Sequence, residues 1–90
     1  MEMSNTKFFV YHDVRENVIY TSKSIDKIMD VNRVFPSATY GIIPTESGDK
    51  MIKVETNWNG EPYLSGTMFG VFLHWDFYDR SYPGVKRIEL

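Results

Sequence analysis

Residues 69–77 read FGVFLHWDF, the longest stretch of the chain in which a large apolar side chain recurs at every second position. Alternation with a period of two is typical of a β-strand, because successive side chains of a strand point to opposite faces. The odd-numbered residues are all apolar, whereas the even-numbered residues are mixed: Gly70, Phe72, His74 and Asp76. The pattern predicts a strand whose odd face lies on the core.

This alternating stretch is long for a small domain. From Met68 to Asp79 it would span about 36 Å if fully extended, whereas a globule of 90 residues has a diameter of about 30 Å. We therefore expect the strand to lie at the centre of the sheet and to bend. Gly70 is the residue that would accommodate a β-bulge at least cost.

The composition indicates one domain in the cytoplasm. We expect a single domain over residues 1–90 with residues 1–6 frayed. Cysteine is absent, which excludes a disulfide-stabilised secreted domain and a thiolate metal site. Residues 1–7 do not resemble a signal peptide, and no apolar run is long enough to cross a membrane. The net charge of −2 is evenly spread and indicates neither a basic nucleic-acid-binding face nor a DNA mimic.

Periodicity in the first half of the chain predicts a hairpin followed by a helix. Residues 7–14 and 18–21 alternate as two strands joined by a short polar turn. From Ser24 onwards, apolar residues recur at three- and four-residue spacing until Pro36. This spacing predicts a helix of about 11 residues with Ser24 as its N-cap, too short to be stable unless it packs on the sheet.

Turn signals divide the second half into further strands. Residues 38–44 and 50–58 are predicted to form a second hairpin through the turn-rich residues 45–49. Asn59-Gly60 is the strongest turn signal, because both residues tolerate the positive φ of a type I′ turn. It predicts a tight two-residue turn flanked by Trp58 and Glu61.

The fold class follows from the order of these elements. Pro62 cannot donate to a sheet ladder, so we expect residues 61–64 to form an edge or broken strand, and residues 85–90 to add a short last strand. The order is β-β-α-β-β-(β)-β-(β). We predict an α+β fold with a mostly antiparallel sheet of five to six strands and one helix packed on one face. The opposite face is expected to be partly solvated or covered by a partner.

One constellation on the predicted strand could carry chemistry. His74, Asp76 and Tyr78 share a face at two-residue spacing, and a histidine and an aspartate about 7 Å apart can form a general acid–base site. One alternative function is therefore a small hydrolase acting on a nucleotide or phosphodiester, with His74 as acid–base and Asp76 or His12 assisting. No nucleophile elbow, phosphate-binding glycine loop or short-spaced metal motif occurs in the sequence, so we predict no catalytic residue, metal or cofactor.

A second alternative is a binder of single-stranded nucleic acid. Aromatic side chains on an open sheet can stack bases, and Tyr78 and Tyr82 lie near a small basic cluster at the C-terminus. Nearby aspartates would repel phosphates, and no RNP-like motif occurs. Nucleic acid is therefore a less favoured partner than protein.

The favoured interpretation is a non-catalytic binding protein. An uncovered sheet face rich in aromatic residues has the composition of an interface core. The predicted partner-binding residues are Phe72, His74, Asp76, Tyr78 and Tyr82. The partner is either another protein or a second copy of the chain.

In size and composition, the chain is similar to small accessory proteins encoded by phages and other mobile elements. Those proteins are cysteine-free, aromatic-rich α+β domains without a catalytic signature, and many bind and inhibit a host enzyme or defence complex. The resemblance implies a protein-binding or inhibitory module that acts on a host protein.

Overall fold

The computed structural model describes residues 5–71 and 80–90, and for residues 67–71 only the backbone. These ranges form one helix and six strands, with the helix packed on the sheet as predicted. The elements are β1 (Phe8–Asp13), β2 (Val18–Ser22), α1 (Ile25–Val34), β3 (Thr39–Thr45), β4 (Gly48–Thr56), β5 (Pro62–Val71) and β6 (Lys86–Glu89). The α+β class and the mostly antiparallel sheet are confirmed.

The six strands form a single sheet in the order β5-β4-β3-β1-β2-β6. Adjacent strands are antiparallel except β2 and β6, which run parallel with Val18 opposite Lys86. Both predicted hairpins are present, and the turn between β3 and β4 is tighter than expected, because Thr45 already pairs with Gly48.

The expectation of a central strand over residues 68–79 is not confirmed. Residues 68–71 belong to β5, which begins at Pro62 and lies at one edge of the sheet. Residues 72–79 lie outside the described residues. Alternating hydrophobicity indicates that one face of a strand packs on a core, but it does not indicate how many strands lie beside it. Pro62, which lacks an amide hydrogen, is tolerated at the start of an edge strand.

The pairing of β5 with β4 is irregular at two places, one near Gly66 and the other beside Gly70, the residue predicted to accommodate a bulge. The register shifts between Ile52 and Val54 of β4, opposite the part of β5 that contains Gly66. Gly66 has a φ of 79°, a left-handed conformation that glycine adopts without a Cβ clash. The second shift lies next to Met51, which pairs with Gly70.

Both faces of the sheet carry buried apolar clusters. The cluster under α1 contains Phe9, Tyr11, Ile28, Ile43, Ile52, Val54 and Leu64. The cluster on the other face contains Val10, Ile19, Tyr40, Ile42 and Met51, with Val85 packed against it. Three of its members, Val10, Ile19 and Ile42, are fully inaccessible to solvent. The helix-free face is therefore buried over these residues. It also carries Lys53, which lies opposite Tyr40 and is exposed, so the face is partly solvated, as expected.

α1 has the predicted bounds but not the predicted capping bond. Ser24 occupies the N-cap position, yet its side chain makes no capping hydrogen bond. Instead, the Ser24 amide donates to the hydroxyl of Ser22 at 3.0 Å. Ile28 and Met29 are the buried helix residues, so a narrow apolar stripe holds α1 on the sheet.

Candidate protein-binding surface

Of the five predicted partner-binding residues, the structure places one. Phe72, His74, Asp76 and Tyr78 lie outside the described residues. Tyr82 is 38% exposed, and its ring meets the His12 ring edge-on, with the centroids 4.3 Å apart. Tyr82 is therefore only partly available to a partner.

His12 is a core residue rather than an exposed acid–base group. Its side chain is almost fully buried on the helix-free face. Burial lowers the pKa of the imidazole below 6.5, against the smaller raising effects of a hydrogen bond with Asn17 and the charge of Asp13. His12 is thus neutral at pH 7. Its predicted role of assisting His74 stays a prediction, because His74 lies outside the described residues.

Four connections gather at one end of the sheet, which we call the apolar end. They are residues 14–17, 35–38, 57–60 and 82–84. The strand pairing brings them together, because Tyr11 of β1 lies opposite Thr39 at the start of β3, and β4 runs antiparallel to β3 and ends beside its start. β2 and β6 both begin at this end.

The apolar end and the two residues next to it, Val34 at the end of α1 and Tyr63 at the start of β5, carry most of the exposed large hydrophobic side chains of the described chain. They are Val14 (62% exposed), Val34 (85%), Trp58 (93%), Tyr63 (42%) and Tyr82 (38%). Ile88 on β6, 40% exposed, is the remaining one. At the opposite end, the described turns carry polar and charged residues such as Lys7, Lys23 and Glu46. This asymmetry makes the apolar end the candidate interaction surface among the described residues.

The loop that carries Trp58 differs from the predicted type I′ turn. The Gly60 amide donates to the Asn57 carbonyl, and the Asn57 amide donates to the Glu61 carbonyl, both at 2.9 Å. Gly60 has a φ of 80°, whereas Asn59 is not in the positive region. This is a three-residue loop in which a type I turn is followed by a left-handed glycine. Trp58 therefore lies inside the loop and does not flank it.

Asn57 explains this choice of turn. Its side-chain oxygen accepts hydrogen bonds from the amides of Asn59, at 2.9 Å, and Glu61, at 3.0 Å. An asparagine side chain that bonds the backbone two residues on stabilises an Asx-turn, so the loop is ordered by its own residues. The sequence prediction weighed Asn59-Gly60 alone and missed Trp58 as a site residue. The signal that could have found it is the asparagine immediately before the tryptophan.

A second feature of the apolar end lies where α1 stops. The Arg15 guanidinium stacks 3.4 Å above the Phe35 ring and lies 3.0 Å from the Asp13 carboxylate. The hydrogen bond from Arg15 is the main reason that the pKa of Asp13 lies below its usual value. A shallow cleft here is lined by both apolar and charged side chains, including Val34 and Glu16.

Comparisons with protein-family models, with curated proteins and with solved structures found no match. In the described ranges, no group of three His, Cys, Asp or Glu side chains could hold a metal ion. Over the same residues, no helix combines the length and apolar character that crossing a membrane requires.

Proposed function

We propose that this chain is a cytoplasmic, non-catalytic module that binds a protein partner through the apolar end. The observation that supports the proposal is Trp58, which is 93% exposed on a loop fixed by hydrogen bonds. Following the compositional resemblance, the partner is a host protein, and binding inhibits it by covering its surface.

Trp58 has the physical properties of an interface anchor. A tryptophan can bury about 150–250 Å², and tryptophan is enriched among the few residues that dominate binding energies. Its loop is ordered before binding by the bonds to Asn57, which reduces the conformational entropy lost on association. Val14 and Val34, also exposed, supply apolar surface at the same end of the sheet.

The proposal moves the binding surface away from the sheet face favoured by the sequence. Val10, Ile19 and Ile42 of the helix-free face are inaccessible to solvent, so these residues supply no binding surface in the folded chain. Tyr82 is the residue that the two surfaces share. The alternative functions, a hydrolase that uses His74 and a nucleic-acid binder that uses Tyr78, stay predictions.

The test compares partner capture by matched surface variants. Tagged wild type, Trp58→Ala and Ile88→Ala are used to capture proteins from a lysate of the native host. Ile88 is the control, because it is an exposed apolar residue outside the apolar end. We expect a protein retained by wild type and Ile88→Ala to be depleted with Trp58→Ala, because truncating an interface anchor costs about 2 kcal/mol or more.

Fold integrity of each variant is checked by circular dichroism. A partner that Trp58→Ala and wild type retain equally would show that the apolar end is not the binding surface.

A further inference from the structure

The apolar end combines an aromatic ring, a carboxylate and a cation at the end of α1. The Arg15 guanidinium lies 3.4 Å above the Phe35 ring, and its Nη2 and Nε donate to the Asp13 carboxylate at 3.0 and 3.4 Å. A guanidinium is planar, so it can stack on a ring with its face while its edge pairs with a carboxylate. Here Arg15 of the same chain makes both contacts, one with the Phe35 ring and one with the Asp13 carboxylate.

A related combination occurs on the strands below the Trp58 loop. The Tyr63 hydroxyl donates to Glu55 Oε2 at 3.2 Å, and Lys53 Nζ lies 3.7 Å from Glu55 Oε1. The carboxylate beside this ring is again paired with a cation of the same chain.

Trp58 and Glu61 lie three residues apart, Trp58 inside the loop and Glu61 at its end, and supply a further ring and carboxylate. The bond from the Asn57 amide to the Glu61 carbonyl holds the two ends of the loop together, so Glu61 lies beside the residue that precedes Trp58. Within the part of the chain that the structure describes, the Glu61 carboxylate receives two long contacts, from the neutral amide groups of Asn57 and Asn59, both at 3.4 Å. Among the described residues, no lysine or arginine forms an ion pair with Glu61.

We propose that an arginine of the protein partner fills this place, with its guanidinium stacked on Trp58 and its N–H groups donating to Glu61. The inference rests on the proposed function and specifies the chemistry of the partner. Arginine fits better than lysine, because a planar fork can stack and pair with a carboxylate at the same time, whereas an ammonium is a compact and strongly hydrated charge.

The direct test uses three short peptides that differ only in the basic side chain. Blocked Gly-Xaa-Gly-Xaa-Gly peptides contain arginine, lysine or citrulline, which has nearly the shape of arginine but no charge. Each is titrated into the ¹⁵N-labelled full chain, and the indole N–H signal of Trp58 is followed after assignment with Trp58→Phe. We expect the arginine peptide to shift this signal at the lowest concentration, lysine to act more weakly, and citrulline weakest of all.

Glu61→Gln tests the carboxylate while keeping the side-chain oxygen that accepts from Asn57 and Asn59. Its matched control is Glu46→Gln, which changes the net charge equally in the exposed turn at the opposite end of the sheet. We expect Glu61→Gln to weaken binding of the arginine peptide about two- to fivefold, the range of an exposed ion pair, and Glu46→Gln to leave it unchanged. Equal weakening by both variants, or equal binding of the citrulline peptide, would overturn the inference.

The two proposals fail in distinguishable ways. In one outcome, Trp58→Ala loses the captured partner, Glu61→Gln retains it fully, and the arginine peptide does not shift the indole signal. The apolar end is then the binding surface, but the proposed arginine contact is wrong. If Trp58→Ala retains the partner, the proposed function itself is wrong.

Discussion

His12 links the stability of the fold to pH through its burial. The folded chain lowers the pKa of the imidazole, whereas the unfolded chain titrates near the ordinary value of about 6.5. A group with a lowered folded pKa contributes stability above its unfolded pKa and loses it as the pH falls through the folded value. Protonation of His12 therefore favours unfolding in acid.

We expect the free energy of unfolding of the wild type to fall more steeply between pH 7.5 and pH 5 than that of His12→Gln. Urea denaturation at both pH values measures this difference. Carboxylate effects common to both proteins cancel in the comparison. Parallel pH profiles would contradict the assignment of His12 as a buried neutral residue.

Asn57 is the residue on which the order of the Trp58 loop depends. Asn57→Ala removes the acceptor of two backbone amides, and each bond contributes about 0.5–1.5 kcal/mol. We expect faster hydrogen exchange at the amides of Asn59 and Glu61 and weaker partner binding, while the sheet remains intact. Asn57→Asp keeps an acceptor oxygen and serves as the control. Unchanged exchange in Asn57→Ala would show that the loop is held by other contacts.

Among the elements, β3 depends on a close approach at its centre. A Cβ at Gly41 would lie 3.0 Å from Leu64 Cδ2 and 3.2 Å from Thr6 Cγ2. Overpacking of this kind costs about 1–3 kcal/mol, so we expect Gly41→Ala to destabilise the fold, as measured by urea denaturation. In the double variant with Leu64→Ala, the added methyl group has more space. The double variant should therefore lose less free energy of unfolding than the sum of the losses in Gly41→Ala and Leu64→Ala. Strict additivity would mean that Leu64 is not the cause.

The sequence predicted the elements that depend on residues close together in the chain. It did not predict the features that depend on contacts between residues far apart in the chain. The helix and both hairpins follow from spacing and turn residues within a short window. The edge position of β5 and the parallel pairing of Val18 with Lys86 are contacts between residues far apart in sequence, which periodicity does not encode. Burial of the helix-free face also depends on such contacts. The Trp58 loop was missed for a local reason, because the Asn57 side chain selects a different turn.

In the proposed function, the residues that bind the partner differ from the residues that stabilise the fold. The buried clusters lie on the two faces of the sheet, whereas the exposed apolar residues gather at one end. Trp58 therefore contributes little to the folded state. We expect Trp58→Ala to change the free energy of unfolding by no more than about 0.5 kcal/mol while it removes partner binding. A large loss of stability would mean that the ring packs on the domain.

The parallel pairing of β6 with β2 has a consequence for synthesis on the ribosome. β1 and β2 emerge before the other described strands and can close as a hairpin. The outer edge of β2 stays unpaired until Lys86 and the residues after it have left the exit tunnel. The Leu90 amide, which donates to the Thr21 carbonyl at 2.8 Å, leaves the tunnel later still. Until then the nascent chain presents an open strand edge, a template for pairing with neighbouring chains on the same messenger. Rapid translation of the stretch between β2 and β6 would therefore shorten the time for which this edge is open.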